Sequence, residues 1–141
     1  MEPTQAVLEV NQQFYRAFEA LSLEMMGEVW ACRESDVCIH PGWEILRGWE
    51  EIRESWRVIF ANTGFMRFEA SELSVEIIGA VACLSCVENI FSVVGDMTIH
   101  SRVACTNLFH LTEDGWRMVL HHGSPIASTQ VVQQHDDEIA N

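Results

Sequence analysis

The chain has 141 residues, of which 48% are hydrophobic, and its 21 acidic against 8 basic side chains give a formal charge of −13. That length fits one domain with a core that needs no disulfide or metal to hold it. All the basic residues are arginine, which excludes Schiff-base, Lys-bound pyridoxal phosphate and phosphate-loop lysine chemistry from within the chain. The excess of carboxylates, with no basic stripe, opposes nucleic-acid binding.

The first residues carry no basic region, and no apolar run approaches the roughly 18 residues of a membrane span, so a soluble, cytoplasmic protein without membrane association is expected. Val7, Val10, Phe14, Phe18 and Leu21 recur at helical spacing and predict an amphipathic helix; Met25, Met26, Val29 and Trp30 continue into a second, short one after Ser22. Asp36 to His40 reads as a strand stopped by Pro41-Gly42. Gly48 to Asn62 sets Trp49, Ile52, Trp56 and Ile59 opposite a charged side, a third helix ending at Asn62-Thr63-Gly64, where Asn or Gly can take a left-handed cap.

From Phe65 the period changes to two. Runs at about 66–78, 81–93, 97–111 and 116–122 are joined by hairpin-length turns and predict an antiparallel meander. Apolar parity slips near Ser71-Glu72, which marks a β-bulge and a bend in the sheet. The expected fold is α+β, a cone with N-terminal helices packed on a strongly curved antiparallel sheet around an interior suited to a small molecule. Residues 1–127 form the single domain and 128–141 a polar tail.

Cys32, Cys38, Cys83, Cys86 and Cys105 are irregularly spaced and read as free thiols. Residues three apart on a strand, such as Cys83 and Cys86, point to opposite faces, so no metal and no cofactor are expected. Strand parity places three polar residues on apolar faces: Asn107 beside Cys105 and Phe109, His122 in line with Trp116, Met118 and Leu120, and Glu88 in line with Leu84 and Cys86. Buried polar groups need partners, so these either satisfy one another or line a ligand site. His40 precedes the Pro41-Gly42-Trp43 turn, and a histidine there titrates near neutrality as base or acid.

The element order, the strand Asp36-Val37-Cys38-Ile39-His40-Pro41, the Gly48-Trp49 helix start, Thr106-Asn107-Leu108-Phe109 and Gly115-Trp116-Arg117 leading to His121-His122-Gly123-Ser124-Pro125 resemble the NTF2-like superfamily, in particular its SnoaL-like and ketosteroid-isomerase-like members. The resemblance implies a cone that holds a small, mostly apolar ligand and a sheet whose outer face pairs two copies. It places His40 where the isomerases have their general-base aspartate, Asn107 where they have a protonated aspartate, and Phe14 where they have a tyrosine. Tyr15, the single tyrosine, is one position away and is expected to point elsewhere.

The reading is therefore a small-molecule-binding protein, with isomerase, cyclase or dehydratase-type acid–base chemistry on a carbonyl compound as its enzymatic form. In that form His40 and Asn107 are catalytic, and Phe14, Trp43, Trp56, Glu88 and His122 bind the ligand. The alternative is a non-catalytic ligand-sensing or association module. Val119, Leu108 and Ala104 give the sheet a second, partly apolar face, which predicts a homodimer.

Overall fold

A computed structural model describes residues 1–127 and 130–133; of Val94 and of 130–133 only the backbone is described. Helix α1 spans Pro3–Glu19 and buries Val7, Asn11, Phe14, Tyr15 and Ala17, while the Glu2 carboxylate caps its start by accepting from the Thr4 and Gln5 backbone N–H groups. Helix α2, Leu23–Val29, is capped by the Ser22 hydroxyl, which accepts from Met25 N–H at 3.1 Å. Strands β1 (Val37–Ile39) and β2 (Leu46–Arg47) then flank the turn that carries His40 and Trp43. In that turn the Trp43 N–H reaches the His40 carbonyl at 2.9 Å and Gly42 takes φ 83°, the positive value a type II turn requires after proline.

Helix α3, Trp49–Ala61, begins at Gly48 and ends at Asn62, whose φ of −110° is not left-handed. The expected left-handed cap is thus corrected: the Asn62 and Thr63 side chains donate to the Val58 and Ile59 carbonyls, so the last turn is satisfied without one. The meander follows as β3 (Met66–Ile78), β4 (Val81–Val94), β5 (Met97–Thr112) and β6 (Gly115–Pro125). The β3–β4 register shifts between Ser71 and Ser74, with Glu72 at φ 54°, so the bulge falls where the parity slips. Two short strands lie outside the sequence expectation: β2, and β7 (Gln130–Gln133), which pairs with the start of β5 and takes part of the supposed polar tail into the sheet.

The sheet runs β2-β1-β6-β5-β4-β3, antiparallel except for the parallel β1–β6 pair. The helices cover its concave side, and the core joins Phe14, Trp30, Trp56, Phe109, Met118 and Leu84 across the two layers. No helix among the described residues is long and apolar enough to cross a membrane.

Candidate functional site

His40, Glu88 and Asn107 are buried on the concave side of the sheet, with Phe14 and Trp56 wholly buried beside them. Trp43 and His122 are not. Between β5 and β6 the register passes from Leu108↔Leu120 to Phe109↔Met118, leaving Val119 as an extra residue. That bulge inverts the parity of everything beyond it, so the placement of His122 inside is corrected: His121 is buried and His122 is exposed on the outer face. Trp43 is 43% exposed, because its turn carries it out to the rim, where its ring lies T-shaped against His40 at 4.8 Å. It covers the histidine from outside.

Tyr15 overturns another expectation. Asn11 and Tyr15 are four residues apart, and both lie on the buried face of α1. The Tyr15 hydroxyl donates to Glu88 Oε2 at 2.6 Å and lies 3.7 and 3.6 Å from the Cys86 and Cys105 sulfurs. Burial, and then the nearby Glu88 charge, hold the phenol pKa well above its ordinary value, while burial raises that of Glu88 against the opposing hydrogen bond from Tyr15. A phenol and a buried acid, absent from the positions the isomerase resemblance assigns them, are therefore present one residue along the helix and one strand over.

A second polar line runs behind this pair. Asn107 Nδ2 donates to Asn11 Oδ1 at 2.8 Å, and Asn107 Oδ1 accepts from His121 Nδ1 at 2.7 Å and from the Cys105 thiol at 3.4 Å. His121 is thereby fixed with its proton on Nδ1, and burial followed by the nearby His40 and His122 charges takes its pKa down to about 3. His40 belongs to a separate arrangement. The Ser55 hydroxyl donates to the Ile52 carbonyl at 2.6 Å, so its oxygen accepts from His40 Nε2–H at 2.8 Å, and burial lowers the imidazole to about 4. Both histidines are neutral at pH 7.

The sequence points to His40 and Asn107 as convergent partners, but aromatic rings lie between them. His121 sits against Phe14 at 4.8 Å, Trp56 against His40 at 4.6 Å, and the two imidazoles are 6.3 Å apart. Trp56 Nε1 is buried there with no acceptor among the described residues. The open space adjoining the polar lines lies elsewhere, in a groove of about 560 Å³ between α1 and β3 lined by Leu8, Asn11, Gln12, Tyr15, Phe68, Glu69, Ala70 and Leu73. Its floor is formed by the two α1 residues that hold Glu88 and Asn107. Glu88, Cys105 and His121 also bring three potential metal-ligand atoms within 4.8 Å of one another, but the His121 nitrogen beside Cys105 is Nδ1, already engaged by Asn107.

Residues 7–128 match the model of the SnoaL-like domain, and the chain belongs to that family, within the NTF2-like superfamily. A candidate dehydratase of the NTF2-like family from Streptomyces avermitilis is 33% identical, with a TM-score of 0.81 over 88% of this chain and 96% of its own. A candidate calcium/calmodulin-dependent protein kinase type II association domain from Thiobacillus denitrificans is 31% identical, with a TM-score of 0.73 over 83% of this chain and 92% of its own. The F-box protein SKIP8 of Arabidopsis thaliana is 26% identical over 86% of this chain, which spans 50% of that protein's length.

Proposed function

We propose that the protein binds a small, mostly apolar molecule bearing a carbonyl oxygen in the groove between α1 and β3. The carrying observation is the buried Tyr15–Glu88 pair, 2.6 Å apart, under a groove that mixes apolar Leu8, Phe68, Ala70 and Leu73 with polar Asn11, Gln12 and Glu69. A raised carboxyl pKa keeps a proton on Glu88 nearer neutrality, which allows the bond to reverse: Glu88 donates to the phenol oxygen and the Tyr15 O–H turns to the ligand. Asn11, whose oxygen is held by Asn107, offers its amide N–H groups to the same acceptor. Two such donors suit a ligand oxygen, and developing negative charge on it in an isomerase or dehydratase reaction.

In the enzymatic form of this reading Asn107 positions Asn11 and His121, and His40 is the base. Proton abstraction by His40 needs the Trp56 and His121 rings to part, so the closed packing favours binding over turnover. Trp56 Nε1, without a partner among the described residues, favours an interior that admits a polar group. Saturation-transfer NMR with acetophenone tests the site: transfer is expected for the wild type and for Trp43→Ala, and it should fall sharply in Tyr15→Phe and Asn11→Leu. Equal transfer in all four proteins overturns it.

The second reading is an association module, favoured by exposed Ile78 and Val81, paired on the outer face of β3 and β4, and by the likeness to an association domain at 31% identity. A cytoplasmic homodimer paired through the outer sheet face serves either reading. Sedimentation at micromolar concentration should find it, and a stable monomer there removes it.

A further inference from the structure

A second groove, remote from the one proposed for the small molecule, lies on the outer side of α3. It encloses about 420 Å³ and is lined by Trp43, Leu46, Glu50, Glu51, Glu54, Ser55 and Val58. Spacings of three and four residues put the three carboxylates and Val58 on one side of the helix. Trp43 and Val58, both lining the groove, are 43% and 38% exposed, large apolar side chains left in water. The tryptophan is also held in place, by its type II turn and by its edge-on contact with His40. Arg57 is tied to Glu54 at 2.6 Å, whereas Glu50 and Glu51 have no basic partner among the described residues.

We propose that this groove docks a short cationic, partly apolar segment of a partner protein, with an aliphatic side chain between Trp43 and Val58 and Lys or Arg side chains on Glu50, Glu51 and the Trp43 ring. Charge complementarity selects that occupant. The whole chain has a formal charge of −13, and its C-terminal stretch holds Asp136, Asp137 and Glu138, so neither a second copy nor its own tail brings net positive charge to the rim. A preorganised exposed indole beside carboxylates is also a site for a cation over an aromatic face.

The probe is a fluorescein-labelled Lys-Leu-Lys-Lys-Leu-Lys amide, read by anisotropy on the full chain at low and moderate salt. Binding is expected to weaken by about tenfold in Trp43→Ala and in the Glu50→Gln/Glu51→Gln double variant, as for loss of an interface anchor. The control Glu76→Gln/Glu113→Gln, with the same charge change on the meander, should shift it less than about twofold. The double variant alters only exposed side chains, so it remains informative if Trp43→Ala fails to fold. Equal loss in the control, equal binding of a Glu-Leu-Glu-Glu-Leu-Glu probe, or a dimer that the double variant disperses overturns the proposal. Acetophenone transfer should survive the double variant, which separates this outcome from that of the α1–β3 site.

Discussion

Acidification tests the interior electrostatics. His40 and His121 are held neutral in the fold, with pKa values lowered to about 4 and about 3, against an ordinary value near 6.5. As pH falls below about 6.5 the unfolded chain takes up protons that the folded one refuses, so stability fully present above that value is lost toward pH 4. Between about pH 7.5 and 5 each histidine forfeits about 2 kcal/mol, together about 4 kcal/mol of the 5–15 kcal/mol typical of a domain. Glu88 acts in the opposite sense: its raised carboxyl contributes below the ordinary carboxylate pKa and is lost as pH rises through the folded value, offsetting part of the drop. Urea unfolding followed by tryptophan fluorescence should show the midpoint falling by about 2 M over that range, at a slope near 2 kcal/mol per M. His40→Gln and His121→Gln should each remove about half of the effect. A midpoint that moves by less than about 0.3 M, or a dependence unchanged in both variants, refutes the reasoning.

Gly48 has φ 88°, and a Cβ there would meet the Glu34 carbonyl oxygen at 3.3 Å, so Gly48→Ala should lower stability by about 1–3 kcal/mol by urea titration. Asn107→Ala leaves His121 Nδ1 and the Asn11 carbonyl oxygen without partners in the core, for an expected loss of about 2–4 kcal/mol and a lower Tm by circular dichroism. The exposed thiol of Cys32 should react with a thiol reagent in the native state, slowed because partial burial and the nearby Asp36 charge raise its pKa, and buried Cys38, Cys86 and Cys105 only on unfolding, with five thiols titrating in denaturant.

Strand alternation carries most of the meander, including the bulge at Ser71-Glu72, because a slip of apolar parity is written in the side chains themselves. The bulge at Val119 has no such mark. Trp116, Met118 and Leu120 continue an unbroken alternation, and Val119 and Leu120 are both partly buried, so the parity of His121 and His122 depends on pairing with β5, a tertiary fact. The place of Tyr15 is not marked in α1 itself: the stripe from Val7 to Phe18 is apolar, yet the buried face also takes Asn11 and Tyr15, whose partners Asn107 and Glu88 lie on strands far along the chain. Trp43 depends on turn geometry, and β2 is too short for any periodicity to appear.

The claim that Tyr15 and Asn11 serve a ligand oxygen is tested most directly by isotope-edited infrared spectroscopy of acetophenone carrying a 13C carbonyl. Donation by Tyr15 and Asn11 predicts a bound carbonyl stretch at lower frequency than in water-free solvent, with the displacement reduced in Tyr15→Phe and abolished in the Tyr15→Phe/Asn11→Leu pair. An undisplaced band, or one that keeps its displacement in the double variant, contradicts the account.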